Sequence, residues 1–165
     1  MQIEVKNIDV LAFEGDGLIL PTLSDGVMQE GLAARVRELV GDEIEAEVTA
    51  HAPIAVGAAL VTDAPNLNLR KLIHVPLLEK PGLRVGVENI RRATRAGLLA
   101  ADRFQLQRIA LPGMGYGEIG VPVDEAARAM IDEIIAFRRP FPLCVVLMDT
   151  DEEMIDALTT QLTGR

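Results

Sequence analysis

The chain has no tryptophan, one tyrosine, one cysteine and two histidines among its 165 residues, and Ser24 is its only serine. A lone cysteine excludes an intramolecular disulfide. Its setting, Leu143-Cys144-Val145-Val146-Leu147, reads as that of a small buried residue rather than a nucleophile. His51 and His74, with Cys144, are too few for a zinc site of His and Cys ligands, and neither a metal nor a cofactor is expected. His74 lies in the apolar run Leu72-Ile73-His74-Val75 and reads as a hydrogen-bonded structural histidine. A Ser–His–acid unit would need Ser24, and nothing places a base beside it. No apolar run reaches the ~20 residues of a membrane span, and Met1–Lys6 lacks a signal-peptide core. A cytoplasmic protein is expected. Positive charge is scarce as well: 16 basic against 25 acidic residues, a formal net charge of −9. Nucleic acids and anionic membranes are bound largely through basic side chains, so neither is an expected partner. A small phosphate ligand held by backbone amides needs no net charge and stays open.

What the chain does have is aliphatic bulk: 49% hydrophobic residues, of which few are aromatic. Strand signals fall on Met1–Val5, Gly17–Leu20 (ended by Pro21), Ala58–Thr62, Leu72–Val75 (closed by Pro76), Leu106–Leu111 and Leu143–Met148. Helical periodicity falls on Gly31–Val40, with Leu32, Val36, Leu39 and Val40 on one face, and on Asp42–His51, Glu88–Phe104, Glu125–Phe137 and Glu152–Leu162. Strands alternate with helices, and several strands are apolar on both faces. That pattern predicts one α/β domain over residues 1–165, a three-layer α/β/α sandwich with a mixed, largely parallel central sheet of about six strands. The charged stretch Arg84, Glu88, Arg91, Arg92 and Arg95 reads as the solvated face of a helix, Glu88 and Arg92 having the supporting i,i+4 spacing.

The segment Pro112-Gly113-Met114-Gly115-Tyr116-Gly117-Glu118-Ile119-Gly120-Val121-Pro122 carries the most functional information. Four glycines directly after a buried strand let backbone N–H groups converge on one point and let a ligand approach the main chain. Three readings compete. Gly115-x-Gly117-x-x-Gly120 has the form of a dinucleotide fingerprint, with Asp149 as the ribose acid, but Pro122 delays the helix that should open within the glycines. The glycines are alternatively a tight connection selected for geometry alone.

The third reading is a resemblance. The segment from Pro112 to Pro122 resembles the phosphate-binding loop of the macro domain family. Other segments fall in the family's order: Asp16-Gly17-Leu18-Ile19-Leu20-Pro21-Thr22-Leu23, Gly57-Ala58-Ala59-Leu60-Val61-Thr62, and Leu67 to Val75 with Arg70-Lys71-Leu72-Ile73-His74-Val75. Nearly the whole chain is covered. The resemblance implies a macro-like fold and a small-molecule ligand, ADP-ribose or a related nucleotide. Mapped from the family, the ligand-binding residues are Asn7, Ile8, Gly31, Leu32, Gly113, Met114, Gly115, Tyr116, Gly117, Glu118, Ile119 and Gly120.

The chain departs from the family where that chemistry lies. Leu20 and Leu23 stand at the positions of two asparagines. The adenine-recognition turn falls on Lys6-Asn7-Ile8, where Asn7 lacks the charge that strengthens such a bond. Of the first glycine-rich loop, on Gln29-Glu30-Gly31-Leu32, only Gly31 matches, and Glu30 would repel a diphosphate. Ala33 replaces a catalytic acid, and Ile119 the aromatic that packs on the distal ribose. Three functions follow: a binding module using loop 113–120; an ADP-ribosyl or phosphate-ester hydrolase using crevice carboxylates such as Asp25, Glu30 and Glu118; or a macro-like scaffold that has lost its ligand. The first is favoured over catalysis, and no catalytic residue is assigned. Oligomeric state is not legible.

Overall fold

Two interleaved apolar sets, alternating with period two, build the centre of the molecule. Ile19, Ile73, Ile109, Leu111, Val145 and Leu147 point to one side, and Leu18, Leu20, Leu72, Ala110, Val146 and Met148 to the other. The computed structural model describes residues 1–165. Its strands are β1 (Gln2–Asn7), β2 (Gly15–Leu23), β3 (Leu60–Asp63), β4 (Leu69–Leu78), β5 (Arg108–Pro112) and β6 (Cys144–Asp149). They form one sheet in the order β1-β6-β5-β2-β4-β3. Every neighbouring pair is parallel except β3 with β4, which is antiparallel.

Parallel strands need helical crossovers, and these cover both faces. Helices α1 (Gly31–Val40) and α2 (Glu43–Ala50) lie over the Leu18–Leu20 side. Helices α3 (Val87–Arg103), α4 (Val123–Ala136) and α5 (Glu152–Thr163) lie over the Ile19 side. The result is the expected three-layer α/β/α sandwich. Gly97 lets α3 approach β2 closely: a Cβ there would stand 2.5 Å from Ile19 Cδ1.

Several boundaries differ from expectation. Strand β2 continues through Pro21, and β4 through Pro76. The β5 partner of β2 ends at the Leu18–Ala110 pair, and the β3 partner of β4 at Leu60–His74. Beyond those points each strand has one neighbour, so every second amide has no ladder bond to lose and proline is tolerated. Leu39, expected on the buried face of α1, is 45% exposed. The stripe that meets the sheet is Ala33, Val36 and Val40, and Leu39 lies at its edge.

His74 is fully buried in β4, with Nε2 2.9 Å from Thr62 Oγ1. The Thr62 hydroxyl donates to the Asp63 carbonyl at 3.1 Å, so it receives the Nε2 proton and Nδ1 keeps an unpartnered lone pair. Burial pushes the imidazole pKa down to about 4, which keeps it neutral and structural. Cys144 is buried at the start of β6, beside β1, with Arg108 Nη1 3.4 Å from its sulfur. Burial raises its thiol pKa above the ordinary value, in keeping with a packing role.

Candidate functional site

The carboxyl ends of β5 and β6 open into a crevice of about 190 Å³, the end of a parallel sheet at which ligands are received. Its walls come from three stretches of chain. The end of β6 supplies Asp149, the start of the glycine-rich loop supplies Gly113 and Tyr116, and the β1–β2 connection with α1 supplies Asp9, Leu32 and Arg35.

Asp149 is held from every side. Its Oδ1 accepts from the amides of Thr150 (2.7 Å) and Asp151 (3.0 Å), and its Oδ2 accepts from the Tyr116 hydroxyl at 2.9 Å. Burial, followed by that bond to a carboxylate, raises the phenol pKa well above its ordinary value, so Tyr116 is a fixed donor at the floor of the crevice. Gly113 is required there: a Cβ at this position would run into Asp149 Oδ2 and Met154 Cγ and crowd the Tyr116 ring.

Asp9 sits before a short 3₁₀ turn (Val10–Ala12) and caps it, Oδ1 accepting from the Leu11 amide at 3.0 Å. Its other oxygen pairs with Arg35 Nη2 across the crevice mouth. The Arg35 hydrogen bond, and then the Leu11 amide, hold the Asp9 carboxyl below its usual pKa. The crevice therefore presents one fixed carboxylate–guanidinium pair and one carboxylate already bonded to a phenol.

The loop beyond Tyr116 folds partly on itself. The amides of Gly117, Gly120 and Val121 donate to Val121, Gly117 and Gly115 carbonyls respectively, and Gly113 donates to Met148. The amides of Met114, Gly115, Tyr116, Glu118 and Ile119 have no acceptor within the chain. Gly117 has φ +111°, a region that L side chains rarely adopt, and a Cβ on Gly120 would collide with the Gly115 carbonyl. At the tip Ile119 is 64% exposed. The loop is anchored to the β4–α3 connection by Val85 N donating to Ile119 O (2.9 Å) and Arg84 Nη2 to Gly120 O (3.3 Å).

Of the twelve residues expected to bind ligand, Leu32, Gly113 and Tyr116 line the crevice. Met114 is buried beneath the loop, and Gly115, Gly117, Glu118, Ile119 and Gly120 continue the loop outward. Gly31 opens α1 on the exposed side. Asn7 and Ile8 are exposed at the end of β1 and do not line the crevice; the polar residue of that connection that does is Asp9, two positions on. The available signal was an Asp followed by Val10-Leu11-Ala12, an acid positioned to cap a turn. Arg35 was missed because helical periodicity marks it only as solvent-facing. The carboxylates in the crevice are Asp9 and Asp149, not Asp25, Glu30 and Glu118. Asp25 turns back onto the Val27 amide (2.9 Å), while Glu30 and Glu118 are exposed outside the crevice. Leu20 is wholly buried in the core, and does not obstruct the crevice.

The architecture recurs in proteins of known structure. An Oceanobacillus iheyensis macrodomain solved with ADP superposes with a TM-score of 0.82 over 98% of this chain and 90% of its own, at 17% identity. A variant of that macrodomain solved with ADPR gives 0.80 over 98% of this chain and 91% of its own, at 18% identity. An uncharacterised protein of Aquifex aeolicus is 41% identical over 160 residues, 95% of either chain. Another, of Aeropyrum pernix, is 31% identical over 145 residues, 88% of this chain and 77% of its own. No helix is long and apolar enough to cross a membrane. The family described as Macro domain matches residues 21–130, well over half of the sequence, and the chain belongs to that family.

Proposed function

We propose that residues 1–165 act as a single macro-like binding domain for ADP-ribose or a related nucleotide, with the nucleoside end in the crevice and a phosphate against the glycine-rich loop. The observation that carries this reading is the set of free amides. Met114, Gly115, Tyr116, Glu118 and Ile119 lack internal acceptors, in a loop whose first residues line the cavity. Amides so placed serve an anion without any net positive charge on the protein. The cavity is smaller than the ~300 Å³ at which pockets for whole drug-sized ligands begin, so it suits one portion of a nucleotide while the remainder extends over the loop. The solved macrodomain complexes with ADP and ADPR supply the ligand class.

Asp9 and Arg35 together offer an acceptor and a donor at the mouth, a combination suited to the edge of a base. Catalysis forms no part of the reading. Both crevice carboxylates are already engaged, and Ala33 carries no group able to activate water. Calorimetry with ADP-ribose, ADP and adenosine tests the proposal. Saturable heat for ADP-ribose and ADP, stronger than for adenosine, is the expected result. No heat at millimolar ligand, with folded protein, would leave the reading in which the scaffold has lost its ligand.

A further inference from the structure

Behind the glycine-rich loop, on the α3 side of the sheet, a second groove of about 400 Å³ opens between the end of β4 and the first turns of α3. Its apolar lining comes from Val56, Leu78 and Leu83, and the exposed side chains of Arg84 and Arg92 line it as well. Neither guanidinium has a carboxylate partner, although the protein is strongly acidic. Glu88, which also lines the groove, is drawn instead to Arg91 at 3.8 Å. The polar atoms of Asn89 are occupied, accepting from Gly86 N (3.0 Å) and donating to Leu77 O (2.9 Å). That leaves Glu79 at the rim, paired with neither arginine.

We infer that this groove is a binding site for a small organic oxyanion, a carboxylate or phosphomonoester on an apolar stem, gripped by Arg84 and Arg92. Guanidinium groups match such oxygens with short, paired hydrogen bonds, and the aliphatic floor accepts the stem. Glu79 and Glu88 also line the groove and repel further anionic groups, so a ligand with one oxyanion head is favoured over one with two. The site is separate from the crevice: no lining residue is shared, and the glycine-rich loop stands between the two. Arg84 also holds the Gly120 carbonyl at 3.3 Å. A ligand that recruits Arg84 therefore disturbs the loop tip, which makes occupancy visible there.

An NMR titration of the intact chain with butyl phosphate, butyrate and inorganic phosphate tests the inference. Saturable shifts at the Val85 and Gly120 amides are expected with butyl phosphate or butyrate, and whichever binds more tightly names the head group. Inorganic phosphate, lacking the stem, binds more weakly. Arg84→Ala and Arg92→Ala each weaken binding about tenfold, the loss of one charge-assisted contact. Arg95→Ala, on the same helix but outside the groove, changes nothing, and Arg35→Ala in the crevice leaves it intact. Unsaturated drift with all three probes, wild-type affinity in both groove variants, or loss of binding in Arg35→Ala would overturn it. Because the crevice is tested with ADP-ribose and the groove with these probes, either site fails independently of the other.

Discussion

Replacing His74 by Gln should remove a specific part of the protein's acid sensitivity. The imidazole is fully buried, donates once to Thr62, and titrates at about 4 in the fold, against about 6.5 in an unfolded chain. Its folded-state value is depressed, so the unfolded chain takes up the proton first as pH falls. Stability linked to the neutral ring is complete above about pH 6.5 and is lost progressively as pH drops toward 4. The fall from about 6.5 to about 4 corresponds to roughly 3 kcal/mol below pH 4, and about 2 kcal/mol is already lost at pH 5. Glutamine retains an N–H for Thr62 and does not titrate. Urea unfolding followed by far-ultraviolet circular dichroism, which needs no tryptophan, should be run near neutral pH and near pH 5 on both proteins. The variant starts out less stable near neutral pH because its side chain fills the site less well. The decisive quantity is the difference between the two losses. Carboxylates whose pKa values lie low in the fold, such as Asp9 and Asp132, contribute equally to both proteins and cancel. The wild type should lose about 2 kcal/mol more than the variant. Equal losses would refute the picture of a histidine held neutral by burial.

Other expectations follow from single contacts. Tyr116 is the only tyrosine and the chain has no tryptophan, so phenolate absorbance reports this residue alone; it should ionise well above the ordinary tyrosine value, and Asp149→Asn should bring it down. Gly97→Ala gains about 1 kcal/mol of helix propensity but forces a methyl onto Ile19, with Cβ contacts of 2.5 and 2.9 Å to its Cδ1 and Cγ1. Overpacking of about 1–3 kcal/mol should win, and a higher melting temperature would contradict this account of the α3–β2 contact. Gly117→Ala meets no neighbouring atom but has φ +111°, so a loss of about 1–2 kcal/mol should arise from backbone strain alone. Arg35→Ala should move stability by at most about 1 kcal/mol, because the pair with Asp9 is about half exposed. It should weaken ADP-ribose binding about tenfold, and unchanged affinity would remove Arg35 from the proposed site.

The fold was legible because its signals are redundant. Five of the six strands run in parallel beneath helices on both faces, so Val145-Val146-Leu147 and Leu18-Ile19-Leu20 are apolar at every position and stand out from the amphipathic helices. Prolines misled at Pro21 and Pro76, since their effect depends on how many neighbours a strand has at that point, which is a tertiary fact. The site was less legible for the same kind of reason. Asp9 and Arg35 are separated by 26 positions, and each alone looks like an ordinary surface charge. Only the packing of α1 against the β1–β2 connection makes them a pair. Asp149 reads from the sequence as a strand-end acid, but its bond to Tyr116 spans 33 positions and leaves no local signature.

The glycine-rich loop shows how far a composition signal reaches. Gly113 is needed because Asp149 and Tyr116 lie against it, Gly115 and Gly117 because their φ values are +76° and +111°, and Gly120 because the Gly115 carbonyl is in the way. Every glycine thus has an internal reason, so their density alone predicts a tightly folded loop and nothing about a ligand. What separates a binding loop from a mere connection is the amide inventory. Met114, Gly115 and Tyr116 are consecutive and unpaired, and Tyr116 lines the crevice, which is what the proposed binding reading requires of the loop. Consecutive free amides at a strand end are the arrangement that concentrates positive potential on one point. Their number is fixed by which carbonyls the loop selects for its internal bonds, a choice made by backbone geometry that the residue types constrain without determining.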